Sequence, residues 1–207
     1  SVWTTCMLFF QMTLLLGYLY SHGVVRFLAP RRQSLIHIGL LLASLALLPI
    51  SPSEAWKPTG AENPTLRILG LLLVSIGLPY FVLSTTGPLV QAWFARERSG
   101  QVPYRLFALS NFGSMLALIA YPLAVEPMLP TRWQSNAWSI LFACFAVACG
   151  VLAWRGRTSE PIVLQHEHHL PPLQPWQMLL WVALAACPSI LMVADTSFLS
   201  ENIAPIP

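Results

Sequence analysis

The sequence predicts an all-α protein, a polytopic transmembrane bundle of about six helices, and two observations carry the prediction. Hydrophobic residues make up 56% of the 207 residues and charged residues only 9%, whereas a soluble domain carries roughly 25% charged residues. Six apolar stretches are also long enough to cross a hydrocarbon core, which takes about 20 helical residues. Water cannot solvate such a surface, so we expect lipid to surround it.

The predicted spans are joined by short polar loops and bounded by proline and arginine. Lipid offers the backbone amides no hydrogen-bond partner, so only helices or closed barrels cross it. The apolar runs lack the alternation of a barrel strand, and helices are therefore predicted. In a single domain over residues 1–207, the spans cover about residues 3–20, 34–50, 66–83, 104–123, 136–154 and 176–194.

The end of the third predicted span is irregular, because residues 84–88 read Ser-Thr-Thr-Gly-Pro. Pro88 has no amide hydrogen to donate. We expect the helix to end there and a short interfacial helix to follow. Alternatively, a broken helix at membrane depth exposes backbone dipoles that bind ions or anionic groups. On that interpretation the candidate binding residues are Thr85, Thr86 and Gln91.

Polar residues inside the other spans are further binding candidates, because polar groups are costly in hydrocarbon. In the first span Gln11, Tyr18 and His22 share a helix face with Thr4, and we expect this stripe to face protein or a cavity. Each stripe permits two interpretations, the lining of a solute-binding site or hydrogen bonds that hold helices together. A second stripe, in and next to the fourth span, contains Tyr104, Asn111, Ser114 and Tyr121, with Arg105 at its mouth.

Little in the sequence indicates metal binding or catalysis. The histidine-rich tract with His166, His168 and His169 is a weak metal-site candidate, and a solvated loop is the alternative interpretation. Serine-nucleophile motifs, paired catalytic carboxylates and phosphate-binding loops are missing from the sequence. We therefore expect no catalytic residue and no cofactor in this stretch, and no enzymatic activity.

Arginines predict the orientation of the spans, since cytoplasmic loops carry the excess of positive charge. The loops after the first, third and fifth spans hold eight arginines, and those after the second and fourth hold three basic residues. We expect the loops near residues 26–33, 96–105 and 155–175 to be cytoplasmic, with Ser1 and Pro207 on the outer side. The net charge of +3 is small and lies at span ends, so no nucleic-acid partner is expected.

Four sets of motifs follow one another along the chain. They are WTTC at residues 3–6 with GYLYSH at 17–22, STTGPLVQAWF at 84–94, PYRLFALSNFGS at 103–114, and YP at 121–122 with EP at 126–127. Together they resemble the membrane part of the bacterial fused major-facilitator/spermidine synthase proteins. The resemblance implies a bundle similar to half of a major-facilitator fold in the bacterial inner membrane. It also implies a helix before Ser1 and more helices after Pro207, and the synthase-like domain of many members is absent from these residues.

For function, the resemblance implies a transporter-like protein that binds or moves a small solute, with a polyamine as a candidate by analogy. The spans hold almost no acidic residue that would attract a cation. Two alternatives stay open: a structural or accessory subunit of a larger membrane complex, and an anchor for a synthase-like domain beyond Pro207. The expected partners are the lipid bilayer and other membrane subunits.

Overall fold

The computed structural model describes residues 2–50, 64–97, 104–157 and 174–202, and within these ranges it contains helices and no strand. The prediction of an all-α fold is confirmed. A π-helical turn, Leu73–Gly77, joins α3 to α4, and a second, Tyr121–Val125, joins α5 to α6. The helices are α1 (Val2–Phe27), α2 (Pro30–Leu45), α3 (Pro64–Leu72), α4 (Leu78–Glu97), α5 (Tyr104–Ala120), α6 (Glu126–Met128), α7 (Thr131–Gly156) and α8 (Pro175–Asn202).

Two compact units divide the chain, Ser1–Ile162 and Val163–Pro207. The first unit contains α1 to α7, and the second contains α8. Long apolar helices therefore occur in both units.

Five helical stretches among the described residues are long and apolar enough to cross a membrane. The predicted second span, 34–50, differs from the other five because α2 ends at Leu45 and has only 16 residues. Such a helix is about 24 Å long, which is shorter than a hydrocarbon core of about 30 Å. The five stretches are Val2–Phe27, Thr65–Arg96, Tyr104–Met128, Thr131–Gly156 and Pro175–Leu199.

Prolines lie at both π-helical turns. The turn Leu73–Gly77 comes two residues before Pro79, and the turn Tyr121–Val125 contains Pro122. Proline cannot make the usual helical hydrogen bond, and a widened turn lets the chain pass the ring without ending the helix. Helical structure therefore continues to Met128, beyond the predicted end of the fourth span at residue 123.

The predicted helix end at residues 84–88 is wrong, because α4 runs from Leu78 to Glu97 through Pro88. Pro88 leaves the Ser84 carbonyl without its helical N–H partner. The adjacent Thr85 carbonyl accepts a hydrogen bond of 3.2 Å from Ser21 Oγ of α1, a hydroxyl that also bonds a carbonyl of its own helix at 2.8 Å. Hydroxyl groups and neighbouring helices are what make proline tolerable inside membrane helices. A sequence pattern on one helix does not reveal this support.

Small residues bring α1 and α4 into close contact. A Cβ atom added at Gly17 would overlap Ser84 Oγ and would lie 2.9 Å from Ser84 Cβ. Ser84 Oγ also lies 3.4 Å from the Thr13 carbonyl of α1, to which it donates. Small residues at a helix crossing allow this approach. A separate apolar cluster joins α2, α4 and α7 through Leu41, Val82, Phe142, Ala146 and Cys149.

Candidate functional site

Polar side chains are buried where α1, α2 and α4 meet. The side chains of Gln33 and His37 are each only 1% exposed, and Thr85 is fully buried. Burying a polar group costs free energy unless the group is hydrogen-bonded. The hydrogen bonds that these side chains make therefore distinguish two kinds of residue. Some use all their polar atoms to hold the helices together, and others keep a polar atom without a partner. The buried polar residues of these three helices are Thr5, Thr13, Ser21, Gln33, Ser34, His37, Ser44, Ser84 and Thr85.

Gln33 links the three helices with its amide group. Its Nε2 donates to the Leu28 carbonyl at 2.7 Å and to the Val25 carbonyl at 3.4 Å, both at the C-terminal end of α1. Its Oε1 accepts hydrogen bonds from Trp93 Nε1 at 3.4 Å and from Arg96 Nη1 at 3.5 Å. All the hydrogen-bonding atoms of this amide are thus engaged, which assigns Gln33 to the structure of the bundle.

His37, one turn further along α2, has bonding capacity to spare. Its ring packs edge-on against Trp93 with centroids 5.8 Å apart, and the Tyr20 ring of α1 lies 6.4 Å away. His37 Nδ1 and Tyr20 Oη are both buried without a hydrogen-bond partner among the described residues. Nearly all buried polar groups in folded proteins are paired. Ser44 Oγ, further along α2, is buried and unpaired as well. Tyr20 and His37 differ from Ser44 because their rings face each other, which makes this pair the candidate for binding a polar ligand.

An open groove of about 380 Å³ lies between α1 and α4. Of the predicted first-span residues, Tyr18 and His22 lie on its wall. Ser21 belongs both to the groove and to the buried polar residues. The groove is lined by Tyr18, Ser21, His22, Val25, Arg26, Pro88 and Ala92.

The electrostatic character of this region is positive. Residues 2–50 and 64–96 contain no aspartate or glutamate. Arg26 lies in the groove and Arg96 contacts Gln33. No carboxylate of α1, α2 or α4 up to Arg96 is therefore present to pair with a cationic ligand. Among the described residues, no group of three histidine, cysteine, aspartate or glutamate side chains could hold a metal ion.

The first stripe does not lie on the buried face of α1, although Tyr18 and His22 line the open groove. Thr4, Tyr18 and His22 are exposed and Gln11 is only partly buried. The buried residues of α1 are instead Thr5, Phe9, Thr13, Gly17, Ser21 and Val24. At 3.6 residues per turn, the two sets lie on roughly opposite sides of α1. The helix buries its small residues because they permit close packing.

The second stripe is not packed against protein within the described part of the chain. Tyr104, Arg105, Asn111 and Ser114 are all exposed, because α5 buries none of its residues. Tyr121, also exposed, donates a hydrogen bond of 3.3 Å from Oη to Oε1 of Gln134 on α7. The structure therefore does not bring these residues together with Tyr18, His22 or Thr85. The metal candidates His166, His168 and His169 lie outside the described residues.

The candidates of α4 are placed closer to the buried site. Thr85 is fully buried, and Thr86 and Gln91 are partly buried. Sequence reasoning missed Tyr20, Gln33 and His37. A signal for the α2 residues existed, because Gln33, His37, Leu41 and Ser44 recur at helical spacing in the predicted second span.

These features define an integral membrane protein of the helical-bundle class. Its long helices are apolar on their exposed sides, and its polar side chains are buried between α1, α2 and α4. Comparison with protein families, with curated proteins and with solved structures finds no match to the chain.

Proposed function

We propose that this chain is a transporter-like membrane domain, related to the spermidine synthase-fused membrane proteins that its motifs resemble, and that it binds a small polar solute. The binding position lies between Tyr20 of α1, His37 of α2 and Trp93 of α4. The observation that carries the proposal is the pair of buried, unpaired atoms, Tyr20 Oη and His37 Nδ1. A phenol hydroxyl can donate a hydrogen bond and a neutral imidazole nitrogen can accept one.

The contrast with Gln33 separates ligand binding from helix-to-helix hydrogen bonding. Gln33 uses its amide on four partners in α1 and α4. A purely structural role predicts the same saturation for Tyr20 and His37, since an unmade buried hydrogen bond costs about 1–3 kcal/mol. A solute that bonds both atoms would recover that cost on binding.

The charges around the site favour a neutral or anionic solute. The polyamine that the resemblance suggests is a cation, and α1, α2 and α4 up to Arg96 offer it no carboxylate. Buried cations in proteins are paired with opposite charge or coordinated. A solute with hydrogen-bond donors and acceptors, neutral or carrying a carboxylate or phosphate, meets no such obstacle here.

Ligand-dependent thermal stability of the purified chain in lipid nanodiscs tests the proposal. The panel contains spermidine, neutral amino acids, polyols, carboxylates and organic phosphates. We expect a neutral or anionic compound to raise Tm, because a ligand at 100 times its Kd stabilises a protein by about 2.7 kcal/mol. His37→Leu should abolish the shift, whereas Gln11→Leu, on the other side of α1, should retain it.

Two results would count against this function. One is the absence of any shift across the panel with folded protein. The other is a shift that survives in His37→Leu, which would place the ligand elsewhere. A shift with spermidine alone would overturn the assignment of solute charge.

A second candidate function is an accessory subunit of a larger membrane complex, and α5 favours it. This helix buries no residue and carries large exposed side chains, including Leu109 and Phe112. Packing against another membrane protein would cover them. Stoichiometric co-purification of a second membrane protein, lost when Gly113 of α5 is changed to Trp, would support this role.

A further inference from the structure

The groove between α1 and α4 combines an apolar wall with positive charge. Val25, Pro88 and Ala92 supply apolar surface, and His22 and Arg26 lie beside it on α1. Tyr18, His22 and Arg26 are exposed, so the groove opens on the outside of the helix pair. Its volume of about 380 Å³ lies within the range of small-molecule sites in proteins.

We propose that this groove binds an anionic phospholipid. The phosphate group lies against Arg26 and His22, and one acyl chain follows the wall formed by Val25, Pro88 and Ala92. The proposal concerns a different surface from the solute position at Tyr20 and His37, and it does not depend on that position being used.

Charge complementarity selects the anionic headgroup. Arg26 lies on the groove wall, and residues 2–50 contain no acidic side chain. The Arg26 guanidinium lies 5.6 Å from the centre of the Phe27 ring, a contact that leaves N–H donors for a phosphate. Basic pockets between membrane helices are suited to anionic lipid headgroups, and each nearby arginine contributes about 1 kcal/mol.

The shape of the groove selects a lipid rather than a soluble phosphate. A free phosphate needs only the charged side chains, and it leaves the apolar wall uncovered. An acyl chain covers that wall, which is formed by α1 and α4, and each of these helices belongs to a stretch long and apolar enough to cross the membrane. Pro88 contributes to this surface because its ring replaces an amide hydrogen with hydrocarbon.

Lipid retention measured by native mass spectrometry tests the proposal on the purified chain. The protein is extracted from vesicles of phosphatidylcholine mixed with phosphatidylglycerol. We expect preferential retention of phosphatidylglycerol, reduced about fivefold in Arg26→Gln, as the loss of one arginine near a lipid phosphate predicts. Arg31→Gln removes the same charge from an exposed position of α2 and should leave retention unchanged.

A second pair of variants tests the acyl-chain part of the groove. Ala92→Phe fills the groove and should lower retention, whereas Ala148→Phe, at an exposed position of α7, should not. Tm in phosphatidylcholine alone checks that each variant is folded. If Ala92 and Arg26 variants are unstable there, His22→Gln provides a milder change with the same expected direction.

Three outcomes would overturn the proposal. Equal losses in Arg26→Gln and Arg31→Gln would mean general attraction to a negative membrane. Retention unaffected by Ala92→Phe would leave no role for the apolar wall. Displacement of the lipid by inorganic phosphate or glycerol phosphate at low concentration would show that the groove recognises a soluble phosphate instead.

Discussion

Single atoms distinguish structural residues from ligand-binding residues in this bundle. The amide of Gln33 connects the end of α1 to α4 through hydrogen bonds to the Leu28 carbonyl and from Trp93 Nε1. The Leu28 carbonyl is one of the terminal carbonyls that a helix leaves without an internal donor. Gln33 therefore acts as a C-terminal cap for α1 that is supplied by the next helix.

The first prediction is that Gln33→Leu destabilises the protein by about 1–3 kcal/mol, because it removes the partner of the partly buried Leu28 carbonyl and of the Trp93 N–H. Unfolding measured by titration with a denaturing detergent tests this. Gln33→Glu should be destabilising too, since a carboxylate cannot donate to the Leu28 and Val25 carbonyls.

Gln11→Leu is the matched control for this prediction, because Gln11 is only partly buried on α1. Its substitution should change stability by less than about 0.5 kcal/mol. If Gln33→Leu behaved like this control, the hydrogen bonds of Gln33 would not contribute to stability.

At the scale of the element, the crossing of α1 and α4 decides which face of α1 is buried. Gly17 and Ser84 touch at this crossing, and Ser21, one turn further along α1, bonds the Thr85 carbonyl of α4. No larger side chain fits at Gly17 without moving Ser84. The crossing is therefore set by small residues rather than by a hydrophobic stripe.

The second prediction is that Gly17→Ala destabilises the protein by about 1–3 kcal/mol through overpacking against Ser84. The control is Gly23→Ala in the same helix, where an added Cβ meets no atom within 4 Å. That substitution should stabilise the protein by up to about 1 kcal/mol, because alanine has the higher helix propensity.

A double variant checks the mechanism of this effect. Ser84→Gly removes the Oγ and Cβ atoms that a side chain at Gly17 would meet. Combining it with Gly17→Ala should recover part of the stability lost in the single variant, as contacting residues are not additive. Additive losses would contradict a direct clash.

The comparison of α1 with α4 shows how far sequence reasoning extends. The length of the apolar runs alone located five membrane-length helices, because the thickness of the hydrocarbon core sets the length of a helix that crosses it. The buried face of α1 could not be read in the same way, since Gln11, Tyr18 and His22 are polar but bulky. In lipid, the exposed and buried faces are both apolar, and small size identifies the contact.

Part of the candidate site could also be predicted from the sequence. Thr85 was found through the irregular sequence around Pro88, and the structure places it in the buried polar region. His37 and Gln33 were missed, although their spacing on α2 follows a helix. The bonds that distinguish them, from Gln33 to Trp93 and Arg96, join residues about 60 positions apart. No local pattern contains that information.

At the scale of the unit Ser1–Ile162, contacts place most of its arginines at one end. Ser84 in the middle of α4 contacts Thr13 in the middle of α1. Arg96 at the C-terminal end of α4 bonds Gln33, which follows the C-terminal end of α1. The helices α1 and α4 are therefore parallel. Ser135 near the start of α7 bonds the Ile50 carbonyl after α2, so the other end of α7 lies near the start of α2. The arginines gathered at this end are Arg26, Arg31, Arg32, Arg96, Arg155 and Arg157.

The third prediction follows from this charge separation, because positively charged helix ends stay in the cytoplasm. In a variant without native cysteines, Thr131→Cys and Gly156→Cys place one thiol at each end of α7. A membrane-impermeant maleimide applied to intact cells should label Thr131→Cys and leave Gly156→Cys unlabelled. After permeabilisation both thiols should react.

The pair of positions makes the result independent of expression level, since both thiols lie on one helix and differ only in the end that they occupy. The opposite labelling pattern would mean that the arginine-rich end faces outward. Labelling of both positions from outside would mean two orientations or a helix that does not cross. Either result would reassign Arg26 and the α1–α4 groove to a different leaflet, and the phospholipid bound there would then come from the outer leaflet.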